Sequence, residues 1–130
     1  MKLSTLSKLC AAMIGLGLLA TPVLAEGDVD NGKKVFKKCK ACHIVDAEKN
    51  KVGPHLVGVF GRTAGTLDGY KYSKAMKQSA IVWSPETLAE YLKKPKAFIP
   101  GNKMSFAGLK KEKQIADLLA YLQDTTKKSE

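Results

Sequence analysis

Cys39-Lys40-Ala41-Cys42-His43 constrains this chain more than any other stretch of its 130 residues. Two cysteines separated by two residues, with a histidine directly after the second, form the C-x-x-C-H pattern of covalent haem attachment. The spacing has a chemical cause. Two thiols add across the two vinyl groups of a porphyrin, and the imidazole that follows lies beneath the iron. Other uses of paired cysteines fit less well. A redox-active C-x-x-C sits at a strand-to-helix turn within a βαβ pattern, and no such pattern surrounds it. A structural zinc site takes four ligands in a closed shell, whereas residues 26–130 offer only Cys39, Cys42, His43 and the distant His55. Chance occurrence is the remaining alternative, and the start of the chain weighs against it.

Lys2 and Lys8 give a short basic start, Leu9 to Ala20 is a mostly apolar run, and Thr21-Pro22-Val23-Leu24-Ala25 ends in small residues. This is the pattern of a secretory signal peptide, with cleavage expected after Ala25. The apolar run falls short of the roughly 20 residues that span a bilayer, so no stable membrane insertion is expected, and Cys10 is expected to leave with the leader. Residues 26–130 then form one domain whose core is small for its surface, a shortage that an embedded cofactor would relieve. Export also permits disulfides, so a Cys39–Cys42 bond is conceivable, but His43 beside them argues for haem. Loss of Lys2 and Lys8 takes the formal charge from +10 to +8. A basic exported surface steers association with acidic proteins in preference to nucleic acid.

With His43 on one side of an iron, the sequence offers His55, Met76 and Met104 for the other. His55 follows Gly53-Pro54 on a connecting loop that must pass the His43 face. Met76 lies in the helical-looking stretch Tyr72 to Gln78, where methionine most often fills gaps in a core. Met104 follows the Pro100-Gly101 turn, which frees the chain to fold across the haem, and is far enough along the chain to reach the opposite face.

Asp28 stands ahead of a first helix, where an acid complements the positive end of the dipole. Gly32 is out of place there, since glycine costs about 1 kcal/mol relative to alanine in a helix; close packing is the expected reason. Ser84-Pro85-Glu86 starts another helix, with serine as cap and proline at the first position, running to about Lys93 before Lys94-Pro95 stops it. Ile115, Leu118, Leu119 and Leu122 fall at helical spacing and mark one buried stripe. Gly53 to Gly69 reads as a wrapped, glycine-rich loop, and no convincing β-strand pattern, repeat or linker appears.

Taken in order, Gly32, Phe36, Cys39, Cys42, His43, Gly53, Pro54, Leu56, Gly58, Phe60, Gly61, Arg62, Tyr72, Trp83, Tyr91, Pro95, Pro100, Gly101, Lys103, Met104, Phe106, Ala107, Gly108 and Tyr121 give a specific match. The chain resembles the class I soluble cytochromes c, mitochondrial and bacterial periplasmic, from Gly27 to about Leu122. The resemblance implies an all-α fold of four or five helices wrapped around one haem c bound through Cys39 and Cys42. It also implies crossing first and last helices that meet at Gly32, Phe36 and Tyr121. His43 and Met104 match the iron ligands, and Pro54 matches the carbonyl that orients the histidine. Arg62, Tyr72 and Trp83 match partners of a buried haem propionate, and Tyr91 a tyrosine close to the ligand sulfur. Met76 and Asn102 depart from the asparagine and threonine common in mitochondrial relatives, so the inner hydrogen-bond network is expected to differ.

A histidine–methionine ligand pair leaves no open coordination position and favours reduced iron. The resemblance therefore implies a monomeric electron carrier rather than an enzyme. It implies a periplasmic shuttle from a quinol-cytochrome c reductase complex to a cytochrome oxidase or a photosynthetic reaction centre. Lys38, Lys51, Lys96, Lys103, Lys110 and Lys111 match or adjoin positions that ring the exposed haem edge and steer docking onto acidic surfaces. A peroxidase-like enzyme or a gas-binding module would need an open or labile sixth position, which Met104 opposes.

Overall fold

The computed structural model describes residues 26–128; the expected leader, its cleavage site and Cys10 lie outside them. Five helices follow in order: α1 (Val29–Phe36), α2 (Lys74–Gln78), α3 (Pro85–Lys93), α4 (Pro95–Phe98) and α5 (Glu112–Thr125). The only β pairing among the described residues is an isolated antiparallel bridge between Thr63 and Val82. This agrees with the all-α expectation.

Helix α1 begins where Asp28 accepts a hydrogen bond from the Asn31 N–H at 2.7 Å, and Lys33 and Lys34 occupy its last turn, each charge opposing the dipole end nearest it. Helix α3 begins with a reciprocal cap in which the Ser84 hydroxyl accepts from the Thr87 N–H and the Thr87 hydroxyl from the Ser84 N–H. The chain beyond Lys94 does not simply stop, as Pro95 opens the short helix α4; proline's fixed φ suits a first helical position.

Helices α1 and α3 both pack on α5. The stripe expected on α5 is buried, with Leu118 only 1% exposed, and it meets Val35, Phe36, Leu88 and Leu92 in one cluster. Burying a leucine this completely contributes about 1.5–3 kcal/mol. At the α1–α5 crossing a Cβ on Gly32 would fall on the carbonyl oxygen of Asp117 and 2.6 Å from Tyr121 Cβ. Only glycine permits this approach, and the Phe36 and Tyr121 rings close beside it with centroids 5.5 Å apart. Asp117, buried at the same crossing, accepts from the Asp28 N–H at 2.7 Å and pairs with the exposed Lys113 ammonium. The backbone hydrogen bond first, and Lys113 second, hold its pKa below the usual carboxylate range.

Between α1 and α3 the chain wraps as a long loop interrupted by the short helix α2 and is fastened by backbone hydrogen bonds. Gly61 N–H donates to Trp83 O, Trp83 N–H to Arg62 O, and Ala64 N–H to Ile81 O. Gly58 N–H donates to Thr126 O at the end of α5. These contacts hold the long loop against the helices and leave a cavity between them.

Candidate functional site

Directly after α1, Cys42 N–H and His43 N–H both donate to Cys39 O, each at 3.0 Å. This single helical turn brings residues i, i+3 and i+4 to one side. The motif's two thiols and imidazole therefore line the same cavity of about 260 Å³. Neither cysteine is in a disulfide. Burial pushes the Cys39 thiol up to about 11, against the lowering effect of Lys38, so in the folded chain it stays protonated at neutral pH.

The next segment folds back over the motif. Gly53 N–H donates to Cys42 O and Leu56 N–H to Ile44 O, which carries the Pro54 carbonyl to 2.7 Å from His43 Nδ1. A proton on Nδ1 satisfies that contact and leaves the Nε2 lone pair free. Gly53 makes room for the ring, because a Cβ there would sit 2.5 Å from His43 Cε1. Burial lowers the pKa of His43, opposed by the Pro54 hydrogen bond and aided by Arg62, so the imidazole is neutral, the form that ligates metal.

The cavity gathers all nine residues expected to hold a cofactor: besides Cys39, Cys42, His43 and Pro54, its wall includes Arg62, Tyr72, Trp83, Tyr91 and Met104. The Tyr91 hydroxyl, pushed up to about 12 by burial, lies 3.7 Å from Met104 Sδ as a donor. Arg62 donates to His55 O at 3.1 Å and Val57 O at 3.3 Å, which leaves three of its five N–H donors for other partners. Met76 also lines this wall and packs against the core. His55 is in a different place. It is buried on the loop, with its N–H donating to Asn50 Oδ1 at 2.9 Å, and it faces a larger, shallower surface depression together with Glu48, Asp68 and Lys128. That depression contains neither cysteine nor Met104.

The six lysines divide into groups. Lys38 and Lys103 line the cavity. Lys51 donates to Lys40 O at 3.0 Å, Lys96 to Asn102 O at 2.6 Å, and Lys103 to Lys71 O, so three of them fasten one backbone segment to another. Lys110 and Lys111 are exposed just before α5. Two features escaped the sequence reading. Tyr70 donates its hydroxyl to Val52 O at 2.7 Å beneath the Lys103 ammonium, and the Asn102 side chain is buried at the centre of the Met104 turn. Asparagine after Pro-Gly was the available signal for the latter, since its amide readily bonds nearby backbone in turns.

Comparison with known proteins accords with this geometry. The Cytochrome c family model matches residues 29–126. The chain belongs to the cytochrome c family. It is 51% identical over 108 residues to cytochrome c type-1 of Ascaris suum, an alignment covering 82% of this chain and 96% of that protein. It is 48% identical to cytochrome c2 of Blastochloris viridis, over 85% of this chain and 90% of that one. Cytochrome cH from Methylobacterium extorquens superposes with a TM-score of 0.72 at 45% identity, covering 75% of this chain and 99% of that structure. This cytochrome c is accordingly an electron carrier and not an enzyme, and its cofactor is covalently attached haem c, for which Cys39 and Cys42 have the required spacing. No helix among the described residues is long and apolar enough to cross a membrane.

Proposed function

We propose that this cytochrome c works in the periplasm after removal of residues 1–25, as a monomer carrying electrons from a quinol-cytochrome c reductase complex to a cytochrome oxidase or photosynthetic reaction centre. One haem c is bound by thioethers from Cys39 and Cys42, with His43 and Met104 as its iron ligands. The observation that carries this reading is the convergence of those four side chains on one largely apolar cavity. Bound haem c supplies a single iron that gains and loses one electron.

The chain's own residues set the conditions for that exchange. Pro54 O, accepting from His43 Nδ1, fixes the ring's orientation and makes Nε2 a better donor. Tyr91 donates toward Met104 Sδ and so restrains the thioether's orientation. With His43 and Met104 both holding its iron, haem c would have no position left for substrate, the arrangement of electron carriers rather than oxygen activators. Arg62, with Tyr72 and Trp83, offers donors to a buried propionate, and a carboxylate removed from water requires such partners. Lys38, Lys51, Lys96, Lys103, Lys110 and Lys111 steer the molecule onto acidic partner surfaces.

A visible spectrum combined with the intact mass of exported protein tests the proposal. It expects one covalently bound haem, a chain beginning at Glu26 and the weak red-end band of methionine-ligated ferric haem. A mass that retains residues 1–25 refutes the processing, and absence of the band refutes Met104 as ligand.

A further inference from the structure

Asn102 is 3% exposed, and its side-chain amide is fully engaged. Its Nδ2 donates to Pro95 O and Ile99 O, both at 2.8 Å. Its Oδ1 accepts the Met104 N–H at 2.9 Å and has the Tyr91 hydroxyl at 3.5 Å. Two donors and two acceptor sites are all that an asparagine amide possesses. The network assigns the amide's orientation, because a flipped amide would set its N–H groups against the Met104 N–H and its oxygen against the Pro95 and Ile99 carbonyl oxygens. The residue's own carbonyl accepts from Lys96. Between Ile99 and Met104 the chain is a turn with Gly101 at φ +85°, closed by one backbone hydrogen bond from the Asn102 N–H to Ile99 O at 3.2 Å, and beyond it the Met104 N–H has the Asn102 side chain as its acceptor.

We propose that Asn102 is a positioning residue for Met104, its amide lashing the sulfur-bearing loop to helix α4 and thereby holding the thioether against the iron. The inference rests on the reading of Met104 as a ligand. Pro95 O and Ile99 O belong to α4 and its end, whereas the Met104 N–H belongs to the loop, so one side chain joins the fixed and movable parts. Truncation removes four contacts and leaves the Met104 N–H unpaired in a partly buried setting, a larger penalty than the loss of a solvent-exposed hydrogen bond. Tyr91 is drawn in as well. Its single proton faces Asn102 Oδ1 and Met104 Sδ at similar distances, so the amide also fixes the tyrosine that faces the sulfur.

Free imidazole, added to ferric holoprotein, binds only when Met104 has left the iron, so its apparent affinity measures the population of the released loop. Asn102→Ala is expected to raise that affinity about tenfold or more, with Asn102→Ser, which retains one acceptor oxygen, in between. Gly32→Ala, destabilised at the α1–α5 crossing and outside the cavity wall, should leave it within about twofold of the parent. A purely structural role for Asn102 instead lowers the denaturation midpoint of both Asn102 variants while imidazole affinity stays at the parent value, and that result overturns the proposal. Should the variants fail to accumulate, hydrogen exchange at the Met104 amide of the unaltered protein decides: protection despite its loop position supports the tether, and free exchange overturns it. If the parent lacks the red-end methionine band, the ligand reading itself fails, and amide protection still reports separately on the Asn102 contact.

Discussion

Replacing Gly32 with alanine sets two well-defined effects against each other. Helix propensity favours alanine by about 1 kcal/mol. Against it, the new Cβ falls on Asp117 O and 2.6 Å from Tyr121 Cβ, whereas carbon atoms pack at roughly 3.5–4.0 Å. Helices α1 and α5 must therefore part by roughly 1 Å, a gap that forfeits about a quarter to a half of each dispersion contact across the seam. Overpacking of this kind costs about 1–3 kcal/mol, and stretching the Asp28–Asp117 hydrogen bond adds about 1 kcal/mol. The net expectation is a loss of about 1–3 kcal/mol, or on the order of 5–20 °C in Tm for a domain of this size. Denaturant unfolding of the holoprotein, with its slope unchanged and its midpoint lowered, measures it. A Gly32→Ala protein as stable as the parent, or more so, would show that propensity outweighs packing at this crossing and refute the reasoning.

Asp117→Asn should cost about 1–3 kcal/mol at pH 7, since it weakens a charge-assisted bond to the Asp28 N–H. Because the native pKa is depressed, the carboxylate's stabilisation is present above the ordinary carboxylate pKa and is lost as pH falls through the native value, so the two proteins should converge in acid. Unfolding curves at several pH values would expose a constant difference if this is wrong. Met76→Asn places an amide in the cavity wall, which favours the extra positive charge of oxidised iron; a redox titration should show the potential falling by tens of millivolts, on a scale of about 59 mV per tenfold change, and no fall counts against a dry Met76 wall. Raising ionic strength from about 0.01 to 0.15 M shortens the screening length from about 30 to 8 Å and should slow electron transfer to a membrane oxidase about tenfold or more. A salt-independent rate removes the steering role of the lysines.

The parts of the fold legible in the sequence were those fixed by local chemistry. Asp28 and Ser84-Pro85 marked helix starts through capping, the α5 stripe through its period, and the haem motif through thiol and imidazole spacing. Gly32 stood out because its propensity was wrong for its place, and the contact with α5 supplies the reason. Gly27 carried no such signal, lying ahead of any helix, yet a Cβ there would come within 2.9 Å of Ala120 Cβ. Local propensity does not report which distant element passes overhead. The same limit hid Pro95 as the start of α4, because a proline that ends one helix is equally suited to begin another. It also hid the tethering of Lys51, Lys96 and Lys103 to backbone carbonyls six to 32 residues away, contacts that depend on how the chain turns back on itself. Asn102 was legible only as a departure from relatives; its four partners required the fold.

Replacement of Met104 by alanine tests the central claim most directly. Visible spectroscopy of the ferric variant should show the red-end methionine band gone, and the reduced variant should bind carbon monoxide while the parent should not. A variant that retains the band and still excludes carbon monoxide would mean that another group fills the sixth position, and the account of this site would be contradicted.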